Sequence, residues 1–592
     1  MEGSNAHTRI ICRVGGLMSP LGIGLETNLQ AVLSGRTGVR QYAGNAELPE
    51  PYAASKFDSS RACFAEVQGL AATVADVASL TPFEQIAVAA VVDLLRTHPE
   101  LDPSASDVLF VLSSTKGNVD LLLSNPADSR VGLSDSAQKL ALCFGNPNQP
   151  VVVSNACISG LSALIVASRL LRLGCYRAAV VVGADIQSPF IIAGFQSFKA
   201  LSEEVCRPYD AQRQGMNPGE AAAAIWIERT AETDIRPDDI ILCQGAMRND
   251  ANHISGPSRV GEGSFRCLKA VVSEAEKARL AFINPHGTAT LYNDEMEAIA
   301  IDRAGLSHIP VCGLKGNFGH TMGAAGLLES MLSAVALQRG LILPTRGFAQ
   351  LGVSRSLQVS DKAQPATGCQ FVKLMSGFGG CNAAVRFAIG PYGDEQLAMP
   401  SRRCVLQTLR RVVINDSGHV VVDGESRDYQ AGGNALLTAI YRREVGDYPK
   451  FFKMDLPCRL GFVAAELLLN QDTDRFTPRD DRAIVVFSRS GSLVSDRRFC
   501  ETIKPGNFFP SPAVFVYTLP NIVTGELAIR HKYLGETASY LLPSPSAAVI
   551  DDIVAATFLD PHTRSAVVAW IDCADDNHFE ADVRLVCAEP TH

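Results

Sequence analysis

The chain has 592 residues, 47% of them hydrophobic and 19% charged, which is too long for one core and apolar enough to bury several. A net charge of −9 with a pI near 5.7 excludes a general affinity for nucleic acid. No run approaches the ~18 apolar residues of a membrane span, and MEGSNAHTRI contains no apolar leader, so a soluble, cytoplasmic protein is expected.

In chain order, DVLFVLSS (107–114), VVVS (151–154), RAAVVVGA (177–184) and AFINPH (281–286) are apolar on both faces and predict buried strands. Between them LTPFEQIAVAAVVDLLRTH, ISGLSALIVASRLLRLG and NDEMEAIAIDRAG place apolar residues at helical spacing. The alternation predicts an α/β protein with helix-covered sheets. Sixteen cysteines are scattered without a CxxC pair, which predicts reduced, mostly packing thiols and no metal site.

Breaks rich in Gly and Pro near 388–401 set off a C-terminal piece. That piece echoes the front of the chain. DVLFVLSSTKG is matched by RAIVVFSRSG, VVVSNACISGLSALIVASRLL by AVFVYTLPNIVTGELAIRHKYL, and RAAVVVGADIQ by SAVVAWIDCAD. An internal duplication is predicted, with Ile522 or Asn521 opposite Cys157, so the second copy has no nucleophile.

Cys157 stands where a buried strand passes into a helix, flanked by small residues in SNACISG. Unpaired amides and the positive end of a helix dipole favour a thiolate there, so a depressed thiol pKa is expected. NPHGTAT sets His286 at a strand end, and GLKGNFGHTMGAAG sets His320 before a helix, five residues after Lys315. The SGFGGCNA turn (376–383) offers main-chain donors around Phe378.

Together with VGGLMSPLGIGLETNLQAVLSGRTGVR and CRPYDAQRQGMNPGEAAAAIWIER, these motifs resemble the β-ketoacyl synthases, condensing enzymes of the thiolase fold, over residues 9–390. The resemblance implies a thiolase-like layered α-β-α-β-α fold, with halves at 1–240 and 241–392. A linker at 393–401 and a degenerate half-thiolase-like α/β lobe at 402–592 follow, and the lobe resembles the ketosynthase-like proteins of aryl polyene and flexirubin clusters.

By residue, the resemblance implies that Cys157 carries the acyl group, while His286 and His320 stabilise the enolate from malonyl acyl carrier protein. Lys315 and Glu297 support the histidines. The Cys157 and Phe378 amides form an oxyanion hole between Gly377 and Gly379, and Phe378 acts as a gate. Thr288 and Thr290 contact the phosphopantetheine arm.

No cofactor is expected on the chain itself, since phosphopantetheine arrives on the acyl carrier protein. A homodimer is expected. FIIAGFQSF (190–198) is a candidate tunnel wall, and Arg169, Arg172 and Arg177 are candidates for docking the acidic carrier. Two readings compete with an active synthase: a thiolase using Cys381 as base, and a chain-length-factor-like partner, which the second lobe fits better than the first.

Overall fold

The computed structural model describes residues 8–57, 62–390, 404–504 and 506–589. The linker expected at 393–401 lies outside the described residues. One five-strand pattern occurs three times. In the first unit, strands Val151–Val153, Val108–Ser113, Ala178–Asp185, Ala221–Ala231 and Thr8–Ser19 lie side by side in that order. The first three are parallel, and the last two run antiparallel to their neighbours. By position in the unit the order is third, second, fourth, fifth, first.

The second unit repeats it with Pro310–Val311, Leu280–Asn284, Gln370–Gly377, Cys381–Ile389 and Ile240–Asn249. The third repeats it with Thr537–Leu541, Arg482–Ser488, Ser565–Cys573, Phe579–Glu589 and Val405–Asn415. The orientations are the same in all three. The parallel strands are apolar throughout because helices cover both faces.

Helices Ser159–Arg172 and Ala325–Gln338 form the layer between the first two sheets. Nearly every residue of both is buried. They cross at Gly160 and Gly326, where a Cβ on Gly326 would lie 2.8 Å from the Leu161 nitrogen. Each helix therefore starts beside the other, and whatever precedes the two helices is brought together.

The third unit joins the first through one edge. Thr537–Leu541 pairs antiparallel with Val151–Val153, Tyr540 opposite Val153. This extends the sheet across the two lobes and fills the edge next to Cys157. A second copy of the chain cannot pair through it. Behind the strands, Arg169 donates to both carboxylate oxygens of Glu536 at 2.9 and 2.8 Å, and Arg248 pairs with Asp560. All four side chains are buried.

Of the docking arginines expected at Arg169, Arg172 and Arg177, the first is buried and the third alone is exposed. Arg169 is consumed by Glu536, Arg172 donates to the Cys243 carbonyl at 2.8 Å, and Arg177 pairs with Asp107 at 2.9 Å.

The duplication is also realigned. Asp185 accepts from the Ser114 hydroxyl and from the amides of Thr115 and Lys116, and Gly117 N–H donates to Ser114. Asp572 does the same for Ser488, Arg489 and Ser490, with Gly491 on Ser488. Ser114 therefore matches Ser488, and ladder register then carries Val153 to Tyr540 and Cys157 to Ser544. Ile522 and Asn521 instead open the helix before that strand. AVFVYT reads as strand by its β-branched and aromatic content, but Pro512–Thr518 forms helical turns.

Candidate active site

Cys157 lies in a 3-10 turn, Ala156–Ile158, that leads into helix Ser159–Arg172. The turn is sharp because Ala156 adopts a φ of +47°, which a Cβ-bearing residue rarely takes. Met322, at the same place before helix Ala325–Gln338, has a φ of +48°. In the third unit this position falls on Pro543, whose ring holds φ near −65°. That lobe cannot make the turn, and Ser544 is exposed.

Strand Leu280–Asn284 delivers His286, and two acids on one face of helix Leu291–Arg303 fix the loop behind it. Glu297 accepts from the amides of His286 at 2.6 Å and Gly287 at 2.8 Å, and from the Tyr209 hydroxyl at 2.9 Å. Asp294 accepts from the amides of Ala289 at 3.1 Å and Tyr209 at 2.8 Å. The MNPGE segment holds His320: its amide donates to the Asn217 carbonyl at 2.6 Å, and its own carbonyl accepts from Gly219 at 2.9 Å.

These elements converge. The Cys157 sulfur and a ring nitrogen of each histidine lie within 4.8 Å of one another. The two imidazoles meet edge to face with centroids 4.9 Å apart. Nδ1 of His320 accepts from the Met322 amide at 3.2 Å, which assigns the proton to Nε2. That nitrogen is buried without a protein partner and serves as a donor.

Burial, reinforced by the charges of Lys315 and Lys373, drives both imidazoles well below their ordinary pKa. They are neutral near pH 7, as donors to a forming oxyanion should be.

Lys315 lies behind the histidines and donates to Glu329 at 2.6 Å, while Lys373 donates to the other oxygen of the same carboxylate at 2.6 Å. Lys373 also donates to the Pro285 carbonyl at 2.7 Å. Burial alone would raise the Glu329 carboxyl, but the two ammonium groups hold it below its usual value. Burial pushes Lys373 down to about 8. Glu329 and Lys373 escaped the sequence reading. Their signal was a lone acid in an otherwise apolar helix and a lone lysine in an apolar strand.

The 376–383 turn lies against Cys157, since a Cβ on Gly377 would be 3.2 Å from the Cys157 nitrogen. Gly379 and Gly380 take φ values of +89° and +68°. The Phe378 ring packs on Phe198 at 5.5 Å and Phe195 at 6.3 Å.

A cavity of about 360 Å³ opens onto Cys157, His286, His320 and Phe378. Thr288 and Thr290 line it, their hydroxyls 2.9 Å apart. Of the expected tunnel wall, Ile191, Phe195 and Phe198 line it. The second lobe contributes Phe515, Thr518 and Leu519.

The N-terminal domain of the β-ketoacyl synthases matches residues 14–233, and their C-terminal domain matches residues 240–349. The chain belongs to the β-ketoacyl synthase family. A 3-oxoacyl-[acyl-carrier-protein] synthase 2 of Rhizobium meliloti is 34% identical over 258 residues, 40% of this chain and 60% of that protein. A putative mitochondrial synthase of that name from Schizosaccharomyces pombe is 25% identical over 428 residues, 64% of this chain and 98% of that protein. Among solved structures, the PfaC ketosynthase–chain length factor superposes with a TM-score of 0.75 at 14% identity, covering 98% of this chain and 78% of that one. At that identity the likeness is one of fold, and it extends through the third unit.

One expectation for this synthase is overturned. Cys157 is not an acidified thiol. Burial pushes its pKa up to about 12, Asp185 adds to the rise, and Lys315 offsets it only in part. Loss of hydration is the largest cause of the rise. Alkylation of Cys157 by iodoacetamide should therefore keep accelerating at about pH 10, past the ~8.5 of a free thiol. A rate that levels off below pH 8 in a stopped-flow pH series would restore the thiolate reading.

Other residues of these motifs have separate structural partners. Asp210 accepts from the amides of Gln212, Ala349 and Gln350, Arg207 pairs with Glu204, and Arg213 approaches Asp294 at 3.9 Å. Cys381 is buried behind the turn with its sulfur 3.2 Å from the Phe378 carbonyl oxygen and 3.7 Å from that of Asn155. Among the described residues, no single helix is long and apolar enough to cross a membrane.

Proposed function

We propose that the chain catalyses decarboxylative condensation of an acyl thioester with malonyl acyl carrier protein. The observation that carries this is the Cys157–His286–His320 cluster, with its two neutral imidazoles facing one sulfur. The Cys157 thiol attacks the acyl thioester, its proton passes to the free nitrogen of His286 and on to the departing carrier thiol, and the acyl group stays on sulfur. The Cys157 and Phe378 amides take the charge of the tetrahedral oxyanion.

The malonyl thioester then loses CO₂. The enolate oxygen accepts from His320 Nε2–H and from His286. Its carbon attacks the acyl carbonyl, a C–C bond forms, the C–S bond to Cys157 breaks, and the thiolate takes up one proton from solvent, the proton that loss of CO₂ from the carboxylate requires overall. Glu297 and the Lys315–Glu329–Lys373 group hold the histidines. Thr288 and Thr290, side by side in the cavity, suit the amides of a phosphopantetheine arm. No bound cofactor enters any of these steps.

The acyl chain runs along Ile191, Phe195 and Met216 toward Phe515 and Leu519. Both lobes therefore set its length, in keeping with the chain length factor partner named in the PfaC match. Arg40, Arg207 and Arg346 line one surface pocket together with Glu204 and offer an acidic carrier a cationic site that does not depend on the buried Arg169. Cys381 faces carbonyls rather than the cavity, which disfavours a thiolase-type second cysteine.

The test is to incubate the purified chain with acyl and malonyl carrier proteins. Release of CO₂, an acyl adduct on Cys157 by mass spectrometry and a 3-oxoacyl product are expected. An unmodified Cys157 and no CO₂ release would refute the proposal.

A further inference from the structure

The oxyanion turn is held from the second lobe. Asn521, at the start of helix Ile522–His531, is buried and donates through Nδ2 to the Phe378 carbonyl at 2.7 Å. The next amide, Gly379 N–H, donates to the Ile254 carbonyl at 2.6 Å. The Gly379 carbonyl accepts from Asn249 Nδ2 at 2.9 Å, and that same nitrogen reaches Thr537 of the second lobe at 3.1 Å. The peptide that follows Phe378 is thus clamped at both its oxygen and its nitrogen.

Backbone packing adds to the clamp. A Cβ on Gly525, one turn into the helix, would lie 2.7 Å from the Gly379 oxygen and 2.9 Å from its Cα. A Cβ on Gly379 would lie 2.6 Å from Asn521 Nδ2. The helix backbone and the turn touch with no side chain between them. Asn521 is itself fixed, since its carbonyl accepts from the Thr524 hydroxyl at 2.8 Å and the Gly525 amide at 3.2 Å.

The two oxyanion donors differ in how they are held. The Cys157 amide belongs to a turn leading into a buried helix. The Phe378 amide is followed by two glycines, the residues with the most backbone freedom. The Phe378 N–H lies in the peptide before it, so a hold on the Phe378 carbonyl reaches that amide by fixing the Phe378 Cα and the peptide that follows it. Two side chains donate to the Phe378 carbonyl among the described contacts, the Asn521 amide at 2.7 Å and the Cys381 thiol at 3.2 Å, and a thiol is the weaker donor of the two.

We infer that Asn521 of the fused lobe is a positioning residue that sets the Phe378 half of the oxyanion hole, so that the lobe without a nucleophile takes part in acyl transfer. This rests on the proposed synthase reading and adds a role for the lobe beyond lining the cavity.

Two reactions of Cys157 in the full chain separate aim from general damage. Acyl transfer from a thioester needs the oxyanion hole, whereas alkylation by iodoacetamide makes no oxyanion. Asn521→Ala should slow acylation, read by mass spectrometry, about tenfold or more, compared with the 10²–10³ of deleting an oxyanion donor outright. Alkylation should stay within about twofold, because it does not draw on that donor. Gly525→Ala, which presses on the same turn through another contact, should give the same split. Equal slowing of both reactions, or no slowing of acylation in either variant, would overturn the inference. A wild-type chain that alkylates but never acylates would instead overturn the synthase reading beneath it.

Discussion

Replacing Cys157 by alanine should remove acyl loading altogether and lower condensation by about 10⁴-fold or more, on the scale seen when a covalent nucleophile is deleted. Release of CO₂ from malonyl carrier protein should survive. That step places charge on the malonyl thioester oxygen, and its donors are the two imidazoles, which are held by Glu297, Asn217 and the buried lysine–glutamate group rather than by the sulfur. Alanine leaves room in the cavity and adds no charge. Radiometric CO₂ release set beside intact-protein mass spectrometry reads both halves. Parallel loss of the two activities in a chain with an unchanged melting temperature would show that the histidines do not act independently of the thiol.

Ending the chain at residue 403 should leave no cooperatively folded protein. Removing the third unit uncovers the Val151–Val153 edge, a ready template for aggregation. It also strips Glu536 from Arg169 and Asp560 from Arg248. It also returns to water the apolar face that helix Ser159–Arg172 shares in one core with Ile550, Ile553 and Val554, a loss of about 25 cal/mol for each Å² of apolar surface exposed. The expected result is aggregated material on size exclusion and no sigmoidal thermal transition. A soluble fragment that melts within about 5 °C of the full chain, a shift of only ~1–2 kcal/mol, would show that the lobes fold independently.

Much of the site could be read from the chain because each part carries a local mark. Cys157 lies between small residues at a strand end, His286 and His320 stand beside glycines, and Phe378 sits in a glycine turn. The strands at 108–113, 151–153, 178–185 and 280–284 are apolar on both faces and fall within a residue or two of their expected limits. What escaped depends on contacts far apart in sequence. Glu329 and Lys373 become a pair only after the Ala325–Gln338 helix packs on the Gln370–Gly377 strand.

The acidity of Cys157 was misjudged for a related reason. A dipole can be inferred from a helix start, but the degree of enclosure is a property of the whole fold. The register of the third unit was misjudged because AVFVYT has strand composition, while the true counterpart strand, TASYL, is short and more polar. The shared carboxylate cap of Asp185 and Asp572 is what reveals the correct alignment.

The pairing of Thr537–Leu541 with Val151–Val153 inside one polypeptide fixes a subunit ratio that separate chains would have to find by diffusion. Each molecule carries one reactive centre and one permanent companion, made in equal number by a single round of translation. Across that seam the position that matches Cys157 carries Ser544, which is exposed, so the lobes are not twin sites. In the proposed reaction each acyl group is taken up and given off at one sulfur, that of Cys157.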